Sequence, residues 1–514
     1  MLIATADAHG GRMAVVDGDA RVTWRDLASR VDEFGAALVA GGIEAGDRVA
    51  VWMPNGLRWI VAALGLWRAG ATLVPVNTRF KGAEAAEVLG RSGARLLVGT
   101  TDFLGDDHVA MLRGVGVDLP ALDTVVVASG PVPAGALGWE ELMSDASASA
   151  RSELDRRSAA LGSDDVSDVL FTSGTTGRPK GVQMTHGRTL TVARDWAAMT
   201  GLGAEDRYLM VNPYFHMFGL KAGILACCAA GTTMYPEPTF DPERTLARVE
   251  AERITVLPGP PTLYQAILDH PGRHDRDLSS LRVAVTGAAD IPVELIRRVR
   301  QELPFSIVIT GYGLTEAGTA TATTPEDDPE AVATTVGRAR PGFEVRLVEG
   351  DSDVPDGGAG EILLRGPSVM LGYLDDPEAT AAALSPEGWL HTGDLGSFDE
   401  HGDLRIVGRI KDMFIVGGFN AYPAEIEDAL LHHPEVRQAA VIGIPDERLG
   451  QVGMAFVVAA SSDPALGEAI RAWCRDEMAN YKVPRRVEVV TELPLNAAGK
   501  VVKDELRDRA AAQG

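Results

Sequence analysis

The sequence predicts an α/β chain: a large N-terminal part built on doubly wound parallel sheets, a β-rich subdomain, and a small α+β module at the C-terminus. Three observations predict it. Apolar runs of strand length alternate with helix-period segments along most of residues 1–400. From about residue 335 the texture changes to short strands between Gly turns, and the last hundred residues mix strands and helices in a new order.

In chain order, 49–53 reads as a strand, 57–69 carries apolar residues at helical spacing, and 71–76 (ATLVPV) returns to strand. The Ala/Ser-rich stretch 145–160 reads as an exposed connection. Strand, helix, strand recurs at 281–286, 293–303 and 307–310. Short connections of this kind predict parallel pairing with right-handed crossovers, and ligands gather at the carboxyl ends of such strands. The segments 286–290 (TGAAD) and 310–314 (TGYGL) are therefore expected to line one crevice. VGRARPGFEVRLVEG and GEILLRGPSVMLGY supply the β-rich subdomain. A helix at 424–431 has Ile426, Ala429 and Leu430 on one face; strands at 438–444 and 453–459, a helix at 466–478 and a strand at 486–491 complete the last module. The polar GRIKD (408–412) between two apolar strands marks the joint, dividing the chain into 1–409 and 410–514.

At roughly 150 residues per unit, 514 residues make room for about three units. The 72 acidic and 48 basic side chains give a net charge of −24, which argues against nucleic acid as a main partner because a phosphate backbone needs a basic footprint. A small polyanion needs only a local positive pocket. Cys227, Cys228 and Cys474 form no CxxC pair, so a disulfide scaffold or zinc module is not expected and a reducing, cytoplasmic setting is. The N-terminus has no basic start followed by an apolar stretch, and the weakly polar runs 59–67 and 222–231 fall short of the ~20 residues a membrane helix needs. Lysine occurs only seven times, at 81, 180, 221, 411, 482, 500 and 503, against 41 arginines. Each lysine is therefore a better functional candidate than usual, since a compact ammonium and a planar guanidinium do different work.

The strongest motif is LFTSGTTGRPKGV (170–182). An apolar strand runs into Thr172, Ser173, Gly174, Thr175, Thr176 and Gly177, and then reaches Lys180. Glycines let backbone N–H groups turn toward a phosphate, hydroxyls add donors, and a lysine neutralises charge. The Gly–Lys spacing is not that of a Walker A loop.

With this loop, GYGLTE (311–316), GWLHTGD (388–394), RIVGRIKD (405–412), PAEIE (423–427) and PLNAAGK (494–500), the chain resembles the adenylate-forming superfamily of acyl- and aryl-CoA synthetases, peptide-synthetase adenylation domains and beetle luciferases. The resemblance spans nearly the whole chain. It implies stacked sheets in the large domain and a mobile C-terminal domain. It also implies a two-step reaction. A carboxylate attacks the α-phosphorus of ATP to give acyl-AMP and pyrophosphate, and a thiol, usually that of coenzyme A, then displaces AMP.

By position, the resemblance implies that the 172–180 loop holds the β- and γ-phosphates. Glu316 and Thr175 would serve Mg²⁺, a hard cation that prefers oxygen ligands. Thr315 would touch the α-phosphate; Tyr312, Gly313, Gly287, Ala288 and Ala289 would frame adenine; Asp394, assisted by Arg409, would take the ribose hydroxyls. Lys500 would reach the carboxylate and the α-phosphate, where an ammonium stabilises developing charge. Lys411 would be the hinge, and Gly417 and Gly418 would leave room for the pantetheine thiol.

The acyl pocket is expected from Tyr214, Phe215, His216, Met217, Gly219, Leu220, Pro258 and Gly259, with His216 as its guard. These walls are apolar, and 214–217 offer no Asp for an α-ammonium, so a hydrophobic acid is expected rather than an amino acid. Stretches 212–227, 254–271 and 277–290 resemble an actinobacterial branch that activates a bicyclic keto-propanoate from steroid-ring degradation. In that setting Lys221 either greets a distal carbonyl or lies on a helix end outside the pocket. Met217, Leu220 and Asp290 depart from the branch and keep a medium- or long-chain fatty acid open. An acyl-AMP ligase serving a carrier protein is the other alternative, although no carrier motif or hinge-blocking insertion is visible. A homodimer is compatible with the resemblance.

Overall fold

The computed structural model describes residues 1–513 except 145, 173–178, 288–292, 351, 356, 417–418, 447, 461–462, 464 and 497–499. β-branched and leucine-rich runs buried on both faces make parallel strands. Val166–Thr172, Thr72–Pro75, Arg48–Trp52, Leu96–Thr100 and Thr124–Ser129 lie side by side in that order, all parallel, in an eight-stranded sheet. At one edge the pattern changes. Lys180–Thr185 runs antiparallel to Val166–Thr172, with Lys180 opposite Thr172, and Gly372–Tyr373 pairs on its outer side. One hairpin thus delivers both ends of the hydroxyl- and glycine-rich loop to a single place, next to Tyr373.

A second sheet pairs Ala20–Thr23, Met13–Asp17, Thr233–Pro236 and Arg207–Met210. It continues through single bridges at Val256 to the parallel strands Val283–Thr286 and Ile307–Leu314. Helices Trp24–Ala40 and Leu57–Arg68 share one apolar cluster with residues of both sheets, including Val49 and Val98 of the first and Val15 and Met234 of the second. This is the stacked arrangement the resemblance implies.

The reading of 145–160 as an exposed connection is corrected. Ala148–Ala160 is a helix whose N-cap Ser147 accepts a hydrogen bond from the Ala150 amide. Its overall polarity hides the two residues that dock it: Ala150 and Leu154 are buried, and Leu154 presses so closely on Gly35 that a Cβ there would stand 2.8 Å from it.

The subdomain is a five-stranded antiparallel sheet ordered Ser352–Asp353, Glu344–Glu349, Ala359–Arg365, Leu390–Phe398, Leu404–Arg409. The next strand, Phe414–Val416, belongs to a separate sheet with Phe419–Ala421, Gly450–Ala459, Val436–Asp446 and Arg486–Val490. Helices Pro423–Leu431 and Leu466–Glu477 cover that sheet through Ile426, Leu430 and Ile470, around a core that includes Phe414 and Val441.

Candidate active site

Ile307–Leu314 extends four residues beyond its expected end at 310, because Gly311 and Gly313 let it pass from a parallel to an antiparallel partner. A Cβ on Gly313 would come 2.2 Å from the Gly318 carbonyl, so the close approach needs glycine. This extension carries Tyr312 toward the β-rich subdomain. Tyr312 OH donates to Asp394 Oδ2 at 2.7 Å, and Arg409 Nε lies 2.9 Å from Asp394 Oδ1. Asp394 and Arg409 are register partners in adjacent antiparallel strands. Burial, and then the Asp394 charge, raise the Tyr312 phenol well above its ordinary range, so it remains a donor.

Glu316 lies just past the end of the same strand. Tyr373 OH donates to Glu316 Oε1 at 3.0 Å, and Lys180 Nζ stands 4.9 Å from the centre of the Tyr373 ring. Burial pushes the Glu316 carboxyl above the ordinary carboxylate range, opposed by its own backbone N–H and by Tyr373. Tyr373, which the sequence reading did not single out, therefore joins the loop lysine to the half-buried Glu316 carboxylate. Its only signal was its place in MLGY, on a two-residue edge strand. Thr315, between Leu314 and Glu316, is partly exposed. Thr172 is the last residue of its strand, while Ser173, Gly174, Thr175, Thr176 and Gly177 lie outside the described residues.

Gly287 is buried against Gly311, whose carbonyl a Cβ would meet at 2.9 Å; Ala288 and Ala289 lie outside the described residues. Of the expected acyl-pocket residues, Tyr214 is fully buried with its ring edge-on to Trp59 and its hydroxyl 3.2 Å from Met210 Sδ, so it supports the segment from behind. Phe215 and His216 are partly exposed, whereas Met217, Gly219, Leu220, Pro258 and Gly259 are buried. His216 Nδ1 accepts from the Phe218 amide at 3.2 Å. Burial, and then the Lys500 ammonium, push the His216 pKa down to about 4. That interaction places Lys500, from the C-terminal module, within electrostatic reach of the pocket segment. The Lys500 amide is held by Asn496 Oδ1 at 2.9 Å.

Lys411 is exposed in the turn after Arg409, and neighbouring Asp412 pairs with Arg507 of helix Lys503–Gln513 at 2.7 Å. Gly417 and Gly418 lie outside the described residues. Lys221 corrects both of its readings. It is neither at a pocket surface nor on an exposed helix end, but 1% exposed and 2.8 Å from Asp168 in the core. A cavity of about 660 Å³ is lined by Lys180 together with Arg91, Glu87, Asp118, Asp376 and Leu119 among others. Among the described residues no group of three or more His, Cys, Asp or Glu is placed to hold a metal ion. No described helix is long and apolar enough to cross a membrane.

The stacked sheets and separate C-terminal module, with an aspartate braced by tyrosine and arginine beside them, are those of an AMP-forming acid–thiol ligase. The chain belongs to the AMP-binding enzyme family: residues 2–374 match it, and 425–500 match the AMP-binding enzyme C-terminal domain. ATP and coenzyme A are its co-substrates. The chain is 49% identical over 506 residues to the 3-[(3aS,4S,7aS)-7a-methyl-1,5-dioxo-octahydro-1H-inden-4-yl]propanoyl:CoA ligase of Rhodococcus jostii (strain RHA1), covering 98% of this chain and 96% of that one. It is 51% identical over 496 residues to the ligase of the same name from Mycobacterium tuberculosis (strain ATCC 25618 / H37Rv), with 96% and 95% covered. The crystal structure of the anthranilate CoA ligase AuaEII in complex with anthranoyl-AMP superposes with a TM-score of 0.89 at 27% identity, covering 100% of this chain and 96% of that one.

Proposed function

We propose that the chain activates the bicyclic steroid-derived propanoate named in those two relatives, converting it through acyl-AMP to acyl-CoA. The relatives match at about half identity along almost their whole length, and the pocket segment is apolar. The observation that supports the adenylating chemistry is a pair of contact chains, Lys180–Tyr373–Glu316 and Tyr312–Asp394–Arg409, with the Asp394 and Arg409 charges felt at Glu316.

In this reading the loop 172–180 and Lys180 hold the β- and γ-phosphates, Thr315 meets the α-phosphate, and Tyr312, Gly313, Gly287, Ala288 and Ala289 frame adenine. Asp394 accepts hydrogen bonds from the ribose hydroxyls, oriented by Arg409 and Tyr312. Glu316, with Thr175, would hold Mg²⁺. One half-buried carboxylate suits a cation that keeps most of its coordination for phosphate and water, and the ion would supply charge neutralisation on the triphosphate. Lys500 stabilises charge as the carboxylate oxygen closes on the α-phosphorus and pyrophosphate leaves. Neutral His216, its Nδ1 occupied by the Phe218 amide, presents its ring to the acid without adding a second cation beside Lys500.

For the second step, rotation about Lys411 withdraws Lys500 and brings Gly417 and Gly418 to the crevice, the joint lying at 409/410. The site of action is the cytoplasm, and light scattering distinguishes a monomer from a homodimer. The test of the substrate is pyrophosphate release with a panel of acids. The bicyclic propanoate is expected to give the highest kcat/KM, and a higher value for octanoate or dodecanoate would replace it with a fatty acid.

A further inference from the structure

The segment that follows the pocket wall is wound as a π-helix, Leu220–Leu225, between the short α-turn Met217–Gly219 and helix Ala226–Ala230. A π-turn inserts one residue into an α-helical path and is less favourable than the α form, so something must hold it. Three contacts do. Lys221 Nζ lies 2.8 Å from Asp168 Oδ2, with both side chains sealed from solvent. Tyr208 OH donates to the Ala222 carbonyl at 2.9 Å. Gly223 lies so close to Met210 that a Cβ would stand 2.7 Å from the Met210 methyl. The other oxygen of Asp168 accepts from Ser167 Oγ at 2.7 Å and Thr189 Oγ1 at 2.8 Å. Asp168 is thereby fixed on Val166–Thr172, the strand that enters the phosphate loop.

A buried ion pair of this kind is a poor source of stability, since apolar residues of similar volume commonly do as well or better. The contact is also made without in-line hydrogen-bond geometry at Lys221 Nζ or Asp168 Oδ2. What the pair does supply is register: a charge on the first turn of the π-segment can meet its counter-charge in one winding only. Slipping to the α form would carry Lys221 about 100° round the helix axis and displace the residues before it.

We propose that Lys221 and Asp168 are positioning residues that lock this π-register, and through it set the depth of the acyl pocket at Met217–Leu220 and the enzyme's choice of acid. The inference rests on the reading that the acid lies against 215–220.

Lys221→Met alone would leave Asp168 buried without its counter-charge, so the test uses the paired variant Lys221→Met/Asp168→Asn. This variant is neutral and close in shape, and keeps an acceptor for Ser167 and Thr189. The measurements are kcat/KM for the bicyclic propanoate, octanoate, dodecanoate and benzoate by pyrophosphate release, the KM for ATP, and the thermal midpoint. The paired variant is expected to keep its midpoint and its KM for ATP while the preference for the best acid over the next falls about tenfold, the scale on which a pocket discriminates by a methylene or more. Gly223→Ala, which disturbs the same turn without touching a charge, is expected to lower the same ratio and reads it independently if the paired variant does not fold. Ratios within about threefold of wild type in the folded variants overturn the inference. A wild-type chain that releases no pyrophosphate with any acid overturns the functional reading as well, so the two failures are distinguishable.

Discussion

Arg409 and Asp394 face each other across neighbouring antiparallel strands, with Nε 2.9 Å from Oδ1, while Tyr312 caps the other carboxylate oxygen from a strand of a different sheet. Arg409 is also the last residue before the C-terminal module begins to turn away. The aspartate proposed for the ribose is therefore held by the last residue of the strand that precedes the C-terminal module.

Asp394→Ala is expected to raise the KM for ATP about ten- to a hundredfold, because hydrogen bonds to a charged group are worth about 1.5–3 kcal/mol. Tyr312→Phe removes one neutral donor and is expected to cost only about three- to tenfold. Pyrophosphate release at varied ATP measures both.

Lys500→Ala is expected to abolish acyl-AMP formation while sparing thioester formation from supplied acyl-AMP, because the ammonium serves only the adenylating orientation. Equal loss in both half-reactions contradicts the alternation. Substituting Gly418 with a bulky residue is expected to do the reverse.

The same lysine sets a titration. His216, held down to about 4 by burial and by Lys500, stays neutral through physiological pH. In Lys500→Ala its pKa is expected to rise, as read by histidine NMR. The unfolded chain takes up this proton near 6.5 and the folded chain only near 4, so the folded state loses stability as pH falls between those values, and none above them. His216→Gln is expected to remove that part of the acid sensitivity.

Tyr373→Phe withdraws a hydrogen bond that favours the ionised form of Glu316. The magnesium concentration giving half-maximal pyrophosphate release is expected to rise about three- to tenfold, with a larger loss for Glu316→Gln.

Leu154→Ala is expected to destabilise the fold by about 2–5 kcal/mol in urea unfolding, as for a core leucine, whereas an exposed connection would lose less than about 0.5 kcal/mol.

Much of this was legible in the residues. Alternating apolar runs marked the parallel strands within a few positions, and motif order proposed Lys180, Tyr312, Glu316, Asp394, Arg409 and Lys500, of which Tyr312, Asp394 and Arg409 meet and Lys180 and Glu316 share Tyr373. What stayed hidden depends on three-dimensional neighbours. Helix Ala148–Ala160 has almost no apolar stripe, because only Ala150 and Leu154 of it are buried, while Asp155 and Arg157 reach Arg68 and the Ile43 carbonyl. Lys221 looks like any polar residue in an apolar run until the fold brings Asp168 to it from 53 positions away. Tyr373 reaches Glu316 because a two-residue edge strand joins the phosphate-loop hairpin, a pairing that no local pattern announces.

The most direct test of the central claim is to incubate the purified chain with α-labelled ATP, Mg²⁺ and the bicyclic propanoate, with and without coenzyme A, and to follow the label. The expected result is a labelled acyl-adenylate with pyrophosphate when coenzyme A is absent, and labelled AMP with acyl-CoA when it is present. ATP that stays intact with this acid and with every other carboxylic acid supplied would contradict the account.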